Sequence, residues 1–320
     1  MKMKYIHLLF MVAIFLVSCD DAQKAEKEIS KIDVNLQVER FDVLLANAKL
    51  SNIPSIQKDF PFLFPKEIDS SWIERFNSPL QKQIFEEAQE KFNDFSGYEE
   101  DIRHLFQHIK YYDKAFKIPQ VITAADYVDY RNKLVLEADL LIINLINYLG
   151  DNHEFYQNIP RYFAENMKPS QIIPDVAESY AKRFVYQNQR KTFLDEIIYY
   201  GKLLYFKDVM IPEYSDEDKI GYSTEDLKWA KENEAQIWSY FVEKELLFST
   251  DNKLLSRFTV PAPFSKFYLE LDNESPPRLG QYIGWLIVRA YAERTNADVM
   301  TIMTTESDEI FNKSKYKPKR

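Results

Sequence analysis

The sequence predicts an α+β fold, in which a mostly helical single domain carries a small sheet. Apolar residues recur at helical spacing in five segments, whereas strand-like patterns occur in only three. Glycine occurs only 6 times in 320 residues, against about 7% in average proteins, which disfavours glycine-rich phosphate loops, dinucleotide-binding turns and propeller blades. No linker-like composition follows residue 33, so we expect one globular domain over residues 33–320.

The strand predictions depend on alternation and on short apolar runs. Val34, Leu36 and Val38 alternate with polar residues, which is typical of a short half-buried strand. We predict further strands at residues 119–130 and 134–144. The second of these contains the run Leu140-Leu141-Ile142-Ile143, which indicates burial on both faces of the sheet.

Helix predictions depend on apolar stripes and on proline positions. Ser78-Pro79 is typical of a helix start, because proline fits the first turn. The stripe Ile102, Leu105, Phe106 and Ile109 predicts the next helix. Further helices are predicted at residues 191–207 and 226–247, after Pro160, Pro169 and Pro174, and from Ser275-Pro276-Pro277 onward, the last long one.

Gly280 and Gly284 lie four residues apart on the last predicted helix. Each glycine within a helix costs roughly 1 kcal/mol relative to alanine. The helix also carries Arg278, Arg289 and Glu293, so it is not a membrane span. We therefore expect another element to approach its backbone closely at these glycines.

The N-terminus has the pattern of a bacterial export signal. Lys2 and Lys4 precede an apolar run from Leu8 to Val17, which is shorter than the roughly 20 residues that span a bilayer. Ser18 and Cys19 follow, and Cys19 is the only cysteine. This resembles a lipobox and implies cleavage before Cys19, diacylation of its thiol and anchoring to a membrane by the acyl chains. The alternative is an ordinary secreted protein with a cysteine at its cleavage site.

We accordingly divide the chain into a signal peptide at residues 1–18, a flexible tether at 19–32 and the domain at 33–320. Residues 20–31 are charged and lack aromatics, so they are expected to bury little surface. The full chain has a net charge of −9. A chain this acidic is not expected to bind nucleic acid, because phosphate binding requires a surplus of lysine and arginine.

Candidate catalytic groups are few. His104 and His108 are spaced like two zinc ligands on a helix, but Leu105 stands where a general base would follow, so we favour a solvent-facing pair. Only His153 remains beyond the predicted signal peptide, and no serine-nucleophile elbow or phosphate-binding loop occurs. We predict no metal, no cofactor and no enzymatic activity.

The chain also has one cluster of acidic residues and one cluster of basic residues. Glu213, Asp216, Glu217 and Asp218 lack the spacing of a calcium loop and are predicted to form a surface turn. The basic end at residues 313–320 could contact anionic lipid or an acidic partner, or it could be a solvated tail.

Six segments of the chain form a recognisable pattern when they are taken in order. The most distinctive is Ser275-Pro-Pro-Arg-Leu-Gly-Gln-Tyr-Ile-Gly-Trp-Leu-Ile-Val-Arg-Ala-Tyr-Ala-Glu293. The others are Glu39-Arg-Phe41, Tyr148-Leu-Gly150, Leu194-Asp-Glu-Ile-Ile-Tyr-Tyr-Gly-Lys202, Ala262-Pro-Phe-Ser-Lys-Phe-Tyr268 and Ser314-Lys-Tyr-Lys-Pro318. In this order they resemble the gliding-motility lipoprotein family GldB of Bacteroidetes. The resemblance implies an envelope lipoprotein that is needed for gliding and for the associated type IX secretion.

The family also looks distantly similar to zincin-like metalloproteases, so the resemblance implies a zincin-like scaffold. Their metal-binding helix would fall at Asp195-Glu196-Ile197-Ile198-Tyr199, which keeps the glutamate but lacks both histidines. Without two imidazoles, a water-activating zinc ion is not held. The scaffold is therefore expected to have lost its chemistry.

We expect a non-enzymatic envelope component that is anchored through Cys19. It is expected to face the periplasm and to bind other proteins of the gliding or secretion machinery. One alternative is a lipid-anchored metallohydrolase that uses Glu196 as base. Another is a surface lipoprotein that binds nutrients or glycans through aromatic platforms. Trp229 and Trp238, however, lie on the internal face of their predicted helix.

Overall fold

A four-stranded mixed sheet lies within a largely helical body. The computed structural model describes residues 24–188, 190–269 and 272–319. The strands are β1 (Val38–Arg40), β2 (Gln120–Ala124), β3 (Leu134–Leu136) and β4 (Leu140–Asn144), in the order β1-β2-β4-β3. β2 runs parallel to β1 and β4, and β3 runs antiparallel to β4. Helix accounts for 59% of the structure, which confirms the α+β class and the mostly helical prediction. The zincin-like scaffold stays a prediction.

The strands lie in the predicted segments but are shorter than predicted. The segment at 34–38 is regular only from Val38, and the strand from 119 ends at Ala124. The predicted strand at 134–144 is a hairpin, whose turn is closed by a 2.8 Å bond from Glu137 N to Leu140 O. In β4, Leu141 and Ile143 are fully buried, whereas their neighbours are partly exposed. One face of β4 therefore packs more deeply than the other.

The helices surround this sheet and extend beyond it. They are α1 (Phe41–Ala46), α2 (Ile53–Asp59), α3 (Ser70–Asn77), α4 (Pro79–Lys91), α5 (Ser96–Tyr112), α6 (Arg161–Ala164), α7 (Ile172–Phe184), α8 (Phe193–Met210), α9 (Asp216–Ile220), α10 (Thr224–Glu232), α11 (Glu234–Glu243), α12 (Lys253–Phe258), α13 (Leu279–Thr295), α14 (Val299–Thr304) and α15 (Ser307–Ser314). Short 3-10 turns lie at Leu50–Asn52, Pro61–Leu63, Leu145–Tyr148, Glu154–Tyr156, Pro169–Gln171 and Asp272–Glu274. Among the described residues, none of these helices combines the length and hydropathy needed to cross a bilayer.

The predicted helices are confirmed where a capping residue or a clear stripe marked them. Ser78 accepts a bond from Gln81 N and begins α4, and the predicted stripe of α5 is fully buried. The predicted helix at 226–247 is two helices, because the chain breaks at Asn233 between α10 and α11. The segment after Asn296, which lay beyond the last predicted helix, forms α14 and α15.

Helix α8 is the centre of the molecule. Its residues Leu203, Phe206 and Met210 join the apolar core around the sheet, α5 and α7. Ile197 and Leu204 join a second core, with α10 to α13. The amphipathic helix predicted at 191–207 is therefore buried around most of its circumference.

The crossing of α8 and α13 brings two backbones into contact. A Cβ added to Gly284 would lie 1.7 Å from the carbonyl oxygen of Ile197, and one added to Gly201 would lie 2.3 Å from that of Gly284. A Cβ on Gly280 would lie 2.8 Å from the carbonyl oxygen of Phe258. The predicted packing role of Gly280 and Gly284 is confirmed, and Gly201 completes the contact from the other helix.

The N-terminal part of the structure differs from the predicted tether. Residues 24–29 are helical, and Ile29 is only 3% exposed. The Gln107 side chain donates to Ile32 O at 2.9 Å, and the Arg103 guanidinium donates to Val34 O at 2.8 Å. Ile29 gives this charged stretch an apolar anchor, so residues 24–32 pack against α5. The predicted signal peptide at 1–18 and Cys19 lie outside the described residues.

Replacement of Gly284 by alanine is expected to destabilise the protein by about 3 kcal/mol or more, because the new methyl group overlaps the backbone of α8. The free energy of unfolding in urea measures this. Gly97→Ala is the matched control, since no atom lies within 4 Å of its Cβ position. That variant should be neutral, or more stable by up to about 1 kcal/mol. Equal stability of both variants would contradict the close contact.

Lys202 on α8 is completely buried, and its ammonium donates to Thr305 O at 2.5 Å. Burial lowers the pKa of Lys202 to about 8 from 10.5, against an opposing effect of Glu306. Between these two pH values the unfolded chain binds a proton that the folded chain does not. The contribution of Lys202 to stability must therefore rise with pH in this window.

We expect wild-type stability to increase relative to Lys202→Met between about pH 8 and pH 10.5. The total gain should be about 3 kcal/mol at most. Urea unfolding of both proteins at several pH values measures the difference, and the comparison cancels the titration of other groups. A difference that stays constant over this window would show that Lys202 titrates normally.

Candidate functional site

The segment that resembles a degenerate metal-binding helix forms the first turn of α8. Thr192 caps the helix, and Asp195 accepts bonds from the backbone N–H groups of Lys191 (3.0 Å) and Thr192 (2.9 Å). The Ser307 hydroxyl also donates to Asp195. Burial raises the pKa of this carboxyl, but the bonds from Ser307 and the backbone outweigh it and lower the pKa. Asp195 is thus an ionised helix cap that attaches α15 to α8.

Glu196 is held by an arginine. The Arg190 guanidinium donates to both carboxylate oxygens, at 3.0 and 2.5 Å, and lies 3.5 Å from the centre of the Tyr199 ring. Glu196 and Tyr199 therefore share Arg190 as a partner. Over the described ranges, no three side chains of the His, Cys, Asp or Glu types are grouped to hold a metal ion.

The histidines occupy separate environments. His104 pairs with Glu100 at 3.0 Å, whereas His108 is 3% exposed. His108 Nδ1 lies 2.9 Å from His104 O, and its Nε2 lies 3.2 Å from Glu26. The predicted solvent-facing pair is wrong for His108, which the packed residues 24–32 cover. His153 pairs with Glu87 at 3.1 Å.

The acidic cluster is more than a surface turn. Arg289 on α13 lies between Asp208 on α8 (2.6 Å) and Asp216 on α9 (2.7 Å). The guanidinium stacks 3.6 Å from the centre of the Trp285 ring, and the indole N–H donates to Asp208 at 2.8 Å. Burial lowers the pKa of Arg289, but its bonds to the two carboxylates dominate and raise it. Asp216 thus links α9 to the central helices.

A cleft of about 370 Å³ lies beside this ion network. Its lining comes from the turn before β3, from α6 to α9 and from the turns at Gly221 and Pro277. The lining residues that bear charge are Arg131, Lys133, Asp175, Glu178, Lys207, Lys219 and Arg278. Five cations therefore face two carboxylates, in a chain whose net charge is −9. We call this the cationic cleft.

Two ion pairs lie along the cationic cleft. Lys207 is 4% exposed, pairs with Glu178 at 2.8 Å and donates to Lys219 O at 2.9 Å. Burial raises the pKa of Glu178, but Lys207 and Lys182 outweigh it and hold the pKa well below its usual range. Lys133 pairs with Asp175, which also accepts a 3.0 Å bond from the Tyr148 hydroxyl. Both carboxylates of the cleft are therefore neutralised by lysines.

Of the remaining cations, Lys219 pairs with Asp208 at 3.5 Å, whereas the two arginines lack a carboxylate partner among the described residues. Neither Arg131 nor Arg278 forms an ion pair within the part of the chain that the structure describes. Arg131 stacks on Tyr130 at 4.6 Å, and Arg278 donates to Gly221 O at 2.8 Å. Sequence analysis missed the cationic cleft, because its charges come from segments far apart in the chain. Among these charges, Lys207 ends the helix predicted at 191–207, and Arg278 lies in the segment from Ser275 to Glu293.

By its fold and candidate site, the chain is an α+β protein with a central pair of helices and a cationic cleft. A model of the gliding motility protein GldB family matches residues 22–318, so the chain belongs to this family. The resemblance drawn from the sequence is confirmed, and membership implies a role in gliding motility. Neither a search of curated proteins nor a search of solved structures found a match.

Replacement of Asp195 by alanine should cost about 2–3 kcal/mol of stability, because it removes a helix cap and leaves buried donors without a partner. Asp226→Ala is a matched control, since Asp226 occupies the same position in the capping box of α10. That box has no contact equivalent to the Ser307 hydroxyl, so its loss should cost about 1 kcal/mol or less. Thermal unfolding of both variants measures the difference. Equal losses of stability would show that the contact between Asp195 and Ser307 adds nothing to the helix cap.

Proposed function

We propose that this protein is a lipid-anchored component of the cell envelope that supports gliding motility and the associated type IX secretion. It acts without catalysis, through contacts with other proteins of that machinery. Membership in the GldB family carries the proposal, since it implies the role in gliding. The anchor is Cys19, at the end of the apolar run that starts at Leu8. The folded body faces the periplasm.

The engagement of Asp195, Glu196 and Tyr199 supports a non-enzymatic role. Asp195 serves as a helix cap, and Arg190 holds both Glu196 and Tyr199. A hydrolase that used Glu196 as base would need to release this arginine and to recruit metal ligands from elsewhere. The net charge of −9 fits protein partners or a membrane anchor better than nucleic acid.

The anchor is tested by Cys19→Ala, with Ser18→Ala as the matched control at the neighbouring position. In a strain that lacks the native gene, the control should incorporate labelled palmitate, stay with membranes and restore both colony spreading and secretion. Cys19→Ala should lose the label and fail to restore spreading. An unlabelled Cys19→Ala protein that still restores spreading would refute the role of the anchor.

The same strain separates the proposal from the hydrolase. Glu196→Gln keeps the size of the side chain but removes its basicity. The non-enzymatic role predicts that this variant, at wild-type abundance, restores spreading fully. Loss of spreading, together with stoichiometric zinc in the purified wild-type protein, would favour the hydrolase.

A further inference from the structure

We propose that the cationic cleft binds the phosphate group of a small organic molecule. This site is separate from the Cys19 anchor and goes beyond the proposed envelope role. Three observations support it: the surplus of cations, a buried lysine whose ion pair is long, and an arginine held in a left-handed conformation at the rim.

The charge balance favours a multiply charged anion. Lys133 and Lys207 neutralise Asp175 and Glu178, so Arg131, Lys219 and Arg278 are left facing the cleft. A phosphate monoester carries a charge of about −1.5 to −2 at pH 7, with three acceptor oxygens. Guanidinium groups match such oxygens with paired donors. A phosphate therefore matches the surplus better than a single carboxylate.

Lys219 is a buried lysine whose ion pair is long. It is only 5% exposed, and its ammonium lies 3.5 Å from a carboxylate oxygen of Asp208. Within the described ranges its ammonium donates no hydrogen bond, although it has three N–H donors. Asp208 is already engaged by Trp285 and Arg289. An oxyanion in the cleft would offer the Lys219 ammonium shorter, charge-assisted hydrogen bonds.

Arg278 is positioned at some cost. Its φ of 59° and ψ of 28° lie in the left-handed region, which costs a residue other than glycine roughly 1 kcal/mol or more. Its guanidinium donates to Gly221 O, which also accepts from the Asn166 side chain at 3.1 Å. The ring of Tyr222 lies 5.4 Å beneath it. These contacts hold the Arg278 guanidinium in place at the edge of the cleft.

The cleft also has a place for the rest of the ligand. Tyr130, Tyr162 and Phe163 line it, and the ring of Phe163 lies 4.6 Å from each of the two tyrosine rings. Aromatic faces of this kind contact the ring or apolar part of a ligand. The volume of about 370 Å³ is within the range of small-molecule sites. The ligand is thus a small phosphate ester, either free or as the headgroup of a lipid.

Isothermal titration of the full-length protein in detergent tests the proposal with two probes. Phenyl phosphate represents a free monoester, and a short-chain phosphatidic acid presents the same monoester as a lipid headgroup. At least one probe should bind at a single saturable site. Arg131→Gln and Arg278→Gln should each raise the Kd about tenfold or more, because each removes one charged hydrogen-bonding group.

Arg294→Gln is the control, because it makes the same charge change at an exposed position outside the cleft. Its Kd should match the wild type. Arg131 is exposed, so its variant tests the site even if Arg278→Gln does not fold. Tighter binding of phenyl phosphate would identify a free ester, and tighter binding of the phosphatidic acid a lipid headgroup. Failure of both probes to bind with a Kd below about 1 mM, or equal weakening in all three variants, would overturn the proposal.

Discussion

The structure depends on the direct contact between the backbones of α8 and α13. Gly201 and Gly284 permit it, because neither has a Cβ that would separate the helices. The contact places Asp208 on α8 within reach of Trp285 and Arg289 on α13. Arg289 then fixes α9 through Asp216, and α9 carries Lys219 into the cationic cleft. A packing constraint at two glycines thus influences the position of charges about one to two helical turns away.

The charges at this junction form a continuous set rather than separate surface pairs. Glu178 and Lys207 link α7 to α8, and Lys207 also donates to the backbone of α9. Isolated buried ion pairs often contribute little net stability, but removal of one partner is costly because the other charge is left unpaired. Such pairs therefore favour one arrangement of these helices over its alternatives. Lys219 joins the same set beside the cleft, through its 3.5 Å ion pair with Asp208.

Periodicity predicted the elements whose packing is local, such as α4 with its Ser78 cap and the buried stripe of α5. The glycine pair on α13 predicted a close approach, although it could not identify Gly201 as the partner. The hairpin turn near Glu137 has no glycine or proline to signal it, and the break at Asn233 interrupts a continuous apolar pattern. The cleft was not predictable from local patterns, because tertiary folding alone brings its charges together.

The segment that once suggested a metal-binding helix shows how the same residues serve stability instead. A carboxylate at the third helical position either caps the helix or points outward to a ligand, and Asp195 caps α8 while it accepts from Ser307. Arg190 then satisfies Glu196, the one group of that motif which could act as a base. With these groups engaged, the free cations of the cationic cleft are the side chains best placed to meet a ligand. The first turn of α8 therefore contributes to stability through Asp195 and Arg190.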